Sequence, residues 1–315
     1  MEHNLVTATT IVRRTAVIAA LPSSVLLALL PSTARAATPT GEAPTVSAKG
    51  AALVAGTSGK LLYAKGANTP RPLASTTKIM LASVVLDTSG VDLKRQVTVK
   101  QEYRDYVIEN GTSTADLQVG DRLTVEQLLH AALLPSGADA AFALADTYGT
   151  GGTSAERTKS FVTKMNTKAD ELGLPNTDFV TFDGTDAGDV STPAELAQLA
   201  RHALENDTFR SAVAKKEYKA DAPAANGNTR YYTWYNTNQL LGSYDGVIGI
   251  KTGTTTPAGQ CLVFAAVRGD KTLVGTILNG SDRYADAAAL LDYGFGTDTA
   301  DTMKLRKLPA DAQRD

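Results

Sequence analysis

Ser75-Thr76-Thr77-Lys78 sets a serine and a lysine three residues apart. Positions i and i+3 of a helix share a face, so Lys78 can reach the Ser75 hydroxyl. A serine hydroxyl is a poor nucleophile and needs a base. A lysine serves as that base only where burial or nearby cations weaken its hold on the proton. A helix start adds free N–H groups, that of Ser75 among them, which can stabilise a developing oxyanion. Lys251-Thr252-Gly253, followed by Thr254, closes a predicted strand and offers a cation and hydroxyls to a carboxylate. Its glycine lets a ligand or another backbone come close to the strand. Ser136-Gly137-Ala138-Asp139 lies between two predicted helices, where a hydroxyl can pass a proton. Taken singly, each has an ordinary reading: a helix cap with a surface lysine, a strand-end turn, and an N-cap serine.

The rest of the composition narrows the field. The 315 residues carry 31 Lys plus Arg against 33 Asp plus Glu, a formal charge of −2 with no basic run, which argues against nucleic acid as a main partner. A single cysteine, Cys261, excludes an internal disulfide and a cysteine-built metal site. Three scattered histidines, His3, His130 and His202, make a histidine-rich zinc site a poor fit. With 43% hydrophobic and 20% charged residues the chain is an ordinary globular one.

The chain begins with the three parts of an export signal: Arg13-Arg14, an apolar stretch from Thr15 to Leu30, and the small-residue exit Ala34-Arg35-Ala36. We therefore expect a signal peptide over 1–36 and an extracytoplasmic, secreted or wall-associated product. An uncleaved anchor is the alternative; no stable membrane span is expected after cleavage. Residues 37–50, rich in Pro, Thr and Gly, read as a flexible lead-in, 51–296 as the catalytic domain and 297–315 as a C-terminal tail with no membrane anchor.

Strands are expected at both ends and helices between them. Ala51–Ala55 and Leu61–Ala64 flank Gly56-Thr57-Ser58-Gly59 as a hairpin. Apolar residues recur at helical spacing from Thr76 to Leu86. Thr124-Val125-Glu126-Gln127 is a capping-box pattern opening a helix that Pro135 ends. Further helices read over Gly137–Tyr148, Ser154–Leu172, Pro193–Leu204 and Asp286–Tyr293. Val247–Ile250, Cys261–Val267 and Thr272–Leu278 read as strands, the last two joined by Gly269-Asp270. The expected fold is α+β: one antiparallel sheet formed from both chain ends, a helical middle layer, and an active site at their junction.

A serine–lysine pair, a second serine motif and Lys-Thr-Gly, in this order, are the signature of penicillin-binding proteins and class A β-lactamases. Leu133-Leu134-Pro135-Ser136-Gly137, Leu172-Gly173-Leu174-Pro175-Asn176-Thr177, Asn236-Thr237-Asn238-Gln239-Leu240-Leu241 and Gly246-Val247-Ile248-Gly249-Ile250-Lys251-Thr252-Gly253 extend the match. The sequence resembles the low-molecular-mass penicillin-binding proteins, the serine-type D-alanyl-D-alanine carboxypeptidases, from about Ala51 to Phe295. The resemblance implies that Ser75 attacks the carbonyl between two D-alanines of a peptidoglycan stem peptide. Lys78 would take its proton, and Ser136 would relay one toward the leaving amine. Lys251, Thr252 and Arg283 would bind the terminal carboxylate, and the N–H groups of Ser75 and Thr254 would form the oxyanion hole beside Gly253. β-Lactams would acylate the same serine, and no metal or organic cofactor is implied.

One departure stands out: the family's second motif reads Ser-x-Asn, and here the third position is Ala138. A lost amide contact to a buried partner costs about 1–3 kcal/mol, or about 10- to 100-fold in rate. Four readings follow: a DD-carboxypeptidase, a DD-transpeptidase using an amine in place of water, a weakly catalytic wall-peptide or penicillin-binding module, and a β-lactamase. The last would need a glutamate to activate water, and Glu171 is the candidate.

Overall fold

The computed structural model describes residues 41–313 together with Met1 and Pro39. The expected signal and its cleavage site lie outside the described residues. Residues 41–313 belong to one compact unit.

In chain order the first half holds β1 (Gly50–Ala55), β2 (Leu61–Lys65), β3 (Arg71–Pro72), a 3-10 turn (Ala74–Thr77), α1 (Lys78–Leu86), β4 (Gln96–Thr98), α2 (Gln101–Asn110), β5 (Arg122–Thr124), α3 (Val125–Leu133), α4 (Ala138–Tyr148) and α5 (Ser154–Glu171). The second half holds β6 (Val190–Ser191), α6 (Pro193–Glu205), α7 (Asp207–Val213), β7 (Glu217–Pro223), β8 (Thr229–Tyr235), β9 (Val247–Thr255), β10 (Gly259–Arg268), β11 (Lys271–Gly280) and α8 (Arg283–Phe295). The main sheet runs β2-β1-β11-β10-β9, with every pairing antiparallel. Both chain ends therefore build one sheet, as expected, and β9 forms an edge.

Both faces of this sheet are covered, which explains the unbroken apolar run in β10. Successive side chains of a strand point to opposite faces. Cys261, Val263 and Ala265 join the core under the helices, while Leu262, Phe264 and Ala266 pack with Leu290 and Leu291 of α8. All nine residues of α1 are buried, Lys78 included. A helix buried on every side is a central one, so the serine–lysine pair heads the most enclosed helix in the layer. The capping box over Thr124–Gln127 forms as read, and Thr192 and Pro193 open α6. No helix among the described residues is long and apolar enough to cross a membrane.

Several details differ from expectation. The segment before Lys78 is a 3-10 turn rather than the first turn of an α-helix. Lys251-Thr252-Gly253 lies inside β9, not at its end, because pairing with β10 continues to Thr255. The hairpin β7–β8, paired from Glu217↔Tyr235 to Pro223↔Thr229, and the helices α2 and α7 were not read from the sequence. The end of the segment read as flexible is packed: Val46 and Ala48 are buried. There the Asp286 carboxylate accepts hydrogen bonds from the Ser47 and Ala48 N–H groups at 2.6 and 2.9 Å.

Candidate active site

The 3-10 turn at the start of α1 packs against β9, and the end of α3 is tied to the segment before β9. Lys78 Nζ donates to Ser75 Oγ at 3.0 Å and to the Asp183 carbonyl at 2.9 Å. Lys78 is 1% exposed, so the burial a lysine base requires is present. Ser75 itself is half-buried and open to the cleft. On its other side stands β9. A Cβ built on Gly253 would lie 2.8 Å from the Ser75 nitrogen and 3.0 Å from that of Thr76. Only glycine lets the strand come so close to the nucleophile's turn.

Ser136 occupies the α3–α4 junction with φ of 68°. A non-glycine residue there carries strain of about 1–3 kcal/mol, which the surroundings must hold. They do so through Gly137 N–H to Ala131 O at 3.0 Å and Ala138 N–H to Ser113 O at 2.9 Å. The N-cap of α4 is Gly137 and no side chain caps it, so the N-cap reading of Ser136 fails. Its buried Oγ makes no hydrogen bond among the described residues. An orphaned buried hydroxyl calls for an explanation, and a catalytic role is one of those such groups have. Ala74, next to Ser75, is also left-handed, at φ of 49°.

The Lys-Thr-Gly strand is braced from α8. Arg283, 8% exposed, donates to the carbonyls of Gly253 and Cys261 at 3.1 and 2.9 Å and to Thr254 Oγ1 at 2.8 Å. Thr252 Oγ1 lies 2.5 Å from Thr237 Oγ1, and the Thr237 N–H donates to Leu134 O. That last bond ties the β8–β9 link to the end of α3, two residues before Ser136. Lys251 is 1% exposed, and its Nζ donates to the Thr252 carbonyl at 2.9 Å. Of the residues singled out in the sequence, the structure thus joins Ser75 with Lys78, Gly253 with the Ser75 turn, and Arg283 with Gly253 and Thr254.

Sequence reasoning missed the loop 181–191. Beyond Asp183's hold on Lys78, the Asp189 carbonyl accepts from the Leu73 N–H at 3.0 Å. Gly184, at φ of 90°, passes so close to the Ala74 carbonyl that any Cβ would overlap it. The Asp189 carboxyl accepts from the Val180 and Thr181 N–H groups at 2.7 and 2.8 Å. Burial nonetheless pushes it up to about 6, outweighing those bonds, with nearby Asp183 adding to the rise. The only local signal was the turn-rich run Asp183-Gly184-Thr185-Asp186; a contact between residues 78 and 183 leaves no short-range trace.

Glu171 is elsewhere. It is exposed at the end of α5 and pairs with Lys168 at 2.8 Å. Lys168 also lies 3.3 Å from Asp87, beyond the C-terminal end of α1, the end away from Ser75. The β-lactamase reading loses its water-activating carboxylate. Cys261 is a buried core residue, and Trp234 packs with its indole N–H on the Ala115 carbonyl at 2.9 Å.

A serine–lysine pair heading a buried helix, a strained second serine and a glycine-bearing edge strand define a penicillin-binding-type DD-peptidase fold. The chain belongs to the peptidase S11 family, D-alanyl-D-alanine carboxypeptidase, whose profile matches residues 37–282, and it is a hydrolase. It is 49% identical over 257 residues to a D-alanyl-D-alanine carboxypeptidase of Streptomyces sp. strain K15, covering 80% of this chain and 88% of that one. The solved Streptomyces K15 DD-transpeptidase superposes with a TM-score of 0.80 at 48% identity, over 81% of this chain and all of that one. A D-alanyl-D-alanine carboxypeptidase from Mycobacterium tuberculosis H37Rv gives 0.71 at 31% identity, over 86% of this chain and 100% of that one.

Proposed function

We propose that the protein is an exported serine DD-peptidase that removes the terminal D-alanine from peptidoglycan stem peptides through a Ser75 acyl-enzyme. The observation that carries this reading is the 3.0 Å bond from the buried Lys78 Nζ to Ser75 Oγ, set against the glycine of β9. Lys78 takes the hydroxyl proton as Ser75 attacks the carbonyl between the two D-alanines. The N–H groups of Ser75 and Thr254 receive the oxyanion. Ser136, whose hydroxyl has no partner among the described residues, passes a proton to the departing amine. The leaving D-alanine's carboxylate is met by Thr252 and Thr254, with Arg283 and Lys251 supplying positive charge. Water then cleaves the ester. A β-lactam acylates Ser75 by the same attack and leaves slowly. Export rests on the arginine, apolar and Ala-x-Ala segments of residues 13–36, which place the enzyme with its substrate outside the cytoplasm.

Intact-mass spectrometry of the mature chain, Ala37 to Asp315, with benzylpenicillin tests the reading, with Ser75→Ala beside it. A persistent adduct lost in Ser75→Ala, together with D-alanine release from a D-Ala-D-Ala peptide, supports it. Equal D-alanine release by Ser75→Ala would overturn it. An adduct that vanishes in seconds would favour the β-lactamase reading, and acylation without turnover the binding module.

A further inference from the structure

Arg306 fixes the C-terminal tail to the body of the protein. Its N–H donates to Ser243 Oγ at 2.7 Å, and its carbonyl accepts from Gln239 Nε2 at 2.8 Å. Its guanidinium donates to the carbonyls of Asn236 at 2.7 Å, Asn238 at 3.1 Å and Leu241 at 3.2 Å. The planar fork of an arginine can span three carbonyls in this way, where a lysine offers a single point of charge.

Asn236 and Asn238 flank Thr237, and Thr237 links three elements. Its N–H donates to the Leu134 carbonyl just past α3 at 3.1 Å, and its carbonyl accepts from the Tyr284 hydroxyl of α8 at 2.9 Å. Its Oγ1 lies 2.5 Å from Thr252 Oγ1 of β9. A hydroxyl proton rotates to suit its partners, so the direction in which Thr252 donates depends on where Thr237 Oγ1 stands. Beyond the clamp, Lys307 and Leu308 line a cleft of about 610 Å³ with Thr237, Gln260, Arg283 and Tyr284. Farther on, Ala312 is buried, and Asp311 and Gln313 line a cavity of about 210 Å³ with Pro135 and Trp234. The tail thus runs from beside Arg283 to the residue before Ser136, and all of it lies beyond the 37–282 stretch that matches the family.

We propose that Arg306 is a positioning residue for the peptidase reaction. By clamping the 236–241 turn it keeps Thr237 against Thr252 and so aims the Thr252 hydroxyl at the substrate's terminal carboxylate. The inference rests on the acyl-enzyme reading, in which Thr252 meets that carboxylate. Arg306 acts through Thr237 and touches no reacting atom. Without the clamp the Asn236 carbonyl turns to water, the turn loosens, and the Thr252 hydroxyl spreads over more orientations. Recognition of the carboxylate then falls by the share of one hydrogen bond, about 3- to 10-fold. The Ser75–Lys78 pair and the hold of Arg283 on Thr254 do not depend on the turn.

The test compares acylation of the mature chain by benzylpenicillin and by its methyl ester, which lacks the carboxylate, with both rates followed by intact mass. The wild type is expected to prefer the free acid. Arg306→Ala should lower the ratio of the two rates about 3- to 10-fold, mainly by slowing benzylpenicillin. Arg306→Gln, which keeps much of the stem and loses the fork, carries the same expectation and serves if the alanine variant does not fold. Lys304→Ala, an exposed change in the same tail, should leave the ratio as it is. Only folded, acylating molecules enter the ratio, so a loss of stability alone slows both reagents equally and does not move it. An unchanged ratio in the Arg306 variants, or a wild type indifferent to the ester, overturns the inference and leaves the peptidase reading intact. Failure of the wild type to be acylated at all would instead remove the peptidase reading, and this inference with it.

Discussion

Gly253→Ala probes the most demanding piece of geometry in the cleft. The added methyl would stand 2.8 Å from the Ser75 nitrogen, 3.0 Å from the Thr76 nitrogen and 3.1 Å from the Ala74 Cβ. Two of those three atoms are backbone, so no side chain can swing aside. The strand and the turn must separate by several tenths of an ångström. Arg283 resists that movement because it holds the Gly253 carbonyl at 3.1 Å. Overpacking of this kind costs about 1–3 kcal/mol of stability, or roughly 2–4 °C in melting temperature per kcal/mol for a domain of this size. The catalytic cost is larger, because the same shift moves the oxyanion donors and the nucleophile apart. A misplacement approaching 1 Å costs about 100-fold in rate. We therefore expect the penicillin acylation rate of folded Gly253→Ala to fall, by up to about 100-fold, read by stopped-flow with a fluorescent penicillin, while the melting temperature falls by a few degrees. Gly275→Ala is the control. Its methyl would overlap the Phe264 ring in the core between sheet and α8, so it should lose stability but acylate at the wild-type rate while folded. Wild-type acylation by Gly253→Ala would refute the argument that this close approach sets the rate.

Two further outcomes follow from the same structure. Ala138→Asn restores the amide at the third position of the second serine motif and is expected to raise D-alanine release up to about 10- to 100-fold; an unchanged or lower turnover in a folded variant would show that the Asp183 carbonyl already serves Lys78. Asp189 makes stability fall with rising pH. Its carboxyl sits at about 6 in the fold, against about 3.9 in an unfolded chain. The fold therefore gains fully below pH 4 and loses about 3 kcal/mol as pH rises through 6. Asp189→Asn should abolish that slope, so that wild-type minus variant stability, from urea unfolding, drops between pH 4 and 7; a flat difference would refute it.

What the sequence made legible was local or periodic. The capping box at Thr124, the Pro193 helix start and the Gly269-Asp270 turn are short-range devices, and each reads directly because its partners are within four residues. β10 was visible because both its faces are apolar. The β7–β8 hairpin alternates exposed and buried residues as a half-buried strand pair should, but β7 buries only the small Ala220 and Ala222, which leaves its apolar signal weak. Helix α2 buries only Tyr103 fully, so it has almost no apolar stripe to detect.

The catalytic residues divide along the same line. Ser75 and Lys78 are three apart, so helical geometry alone predicts their meeting. The groups that hold them are 100 residues or more away: Asp183 for Lys78, Arg283 and Gly253 for the oxyanion side. Sequence shows such groups only as types that recur with a family. The tail is the sharper case. Read as charged and without an anchor, Met303 to Asp315 gave no reason to place it near the chemistry. Yet a guanidinium has five donors in a rigid fork, and a loop that turns its carbonyls outward is the surface such a fork fits. Asn236 to Leu241 is that loop, because the side-chain oxygens of its two asparagines take up its N–H groups: Asn236 Oδ1 accepts from the Asn238 N–H and Asn238 Oδ1 from the Leu240 N–H. The carbonyls of Asn236 and Leu241 are left for Arg306, which also shares that of Asn238 with the Leu241 N–H. The motif that positions Thr237 against the Lys-Thr-Gly strand is thus the same one that docks the tail, and it brings Lys307 to the edge of the cleft.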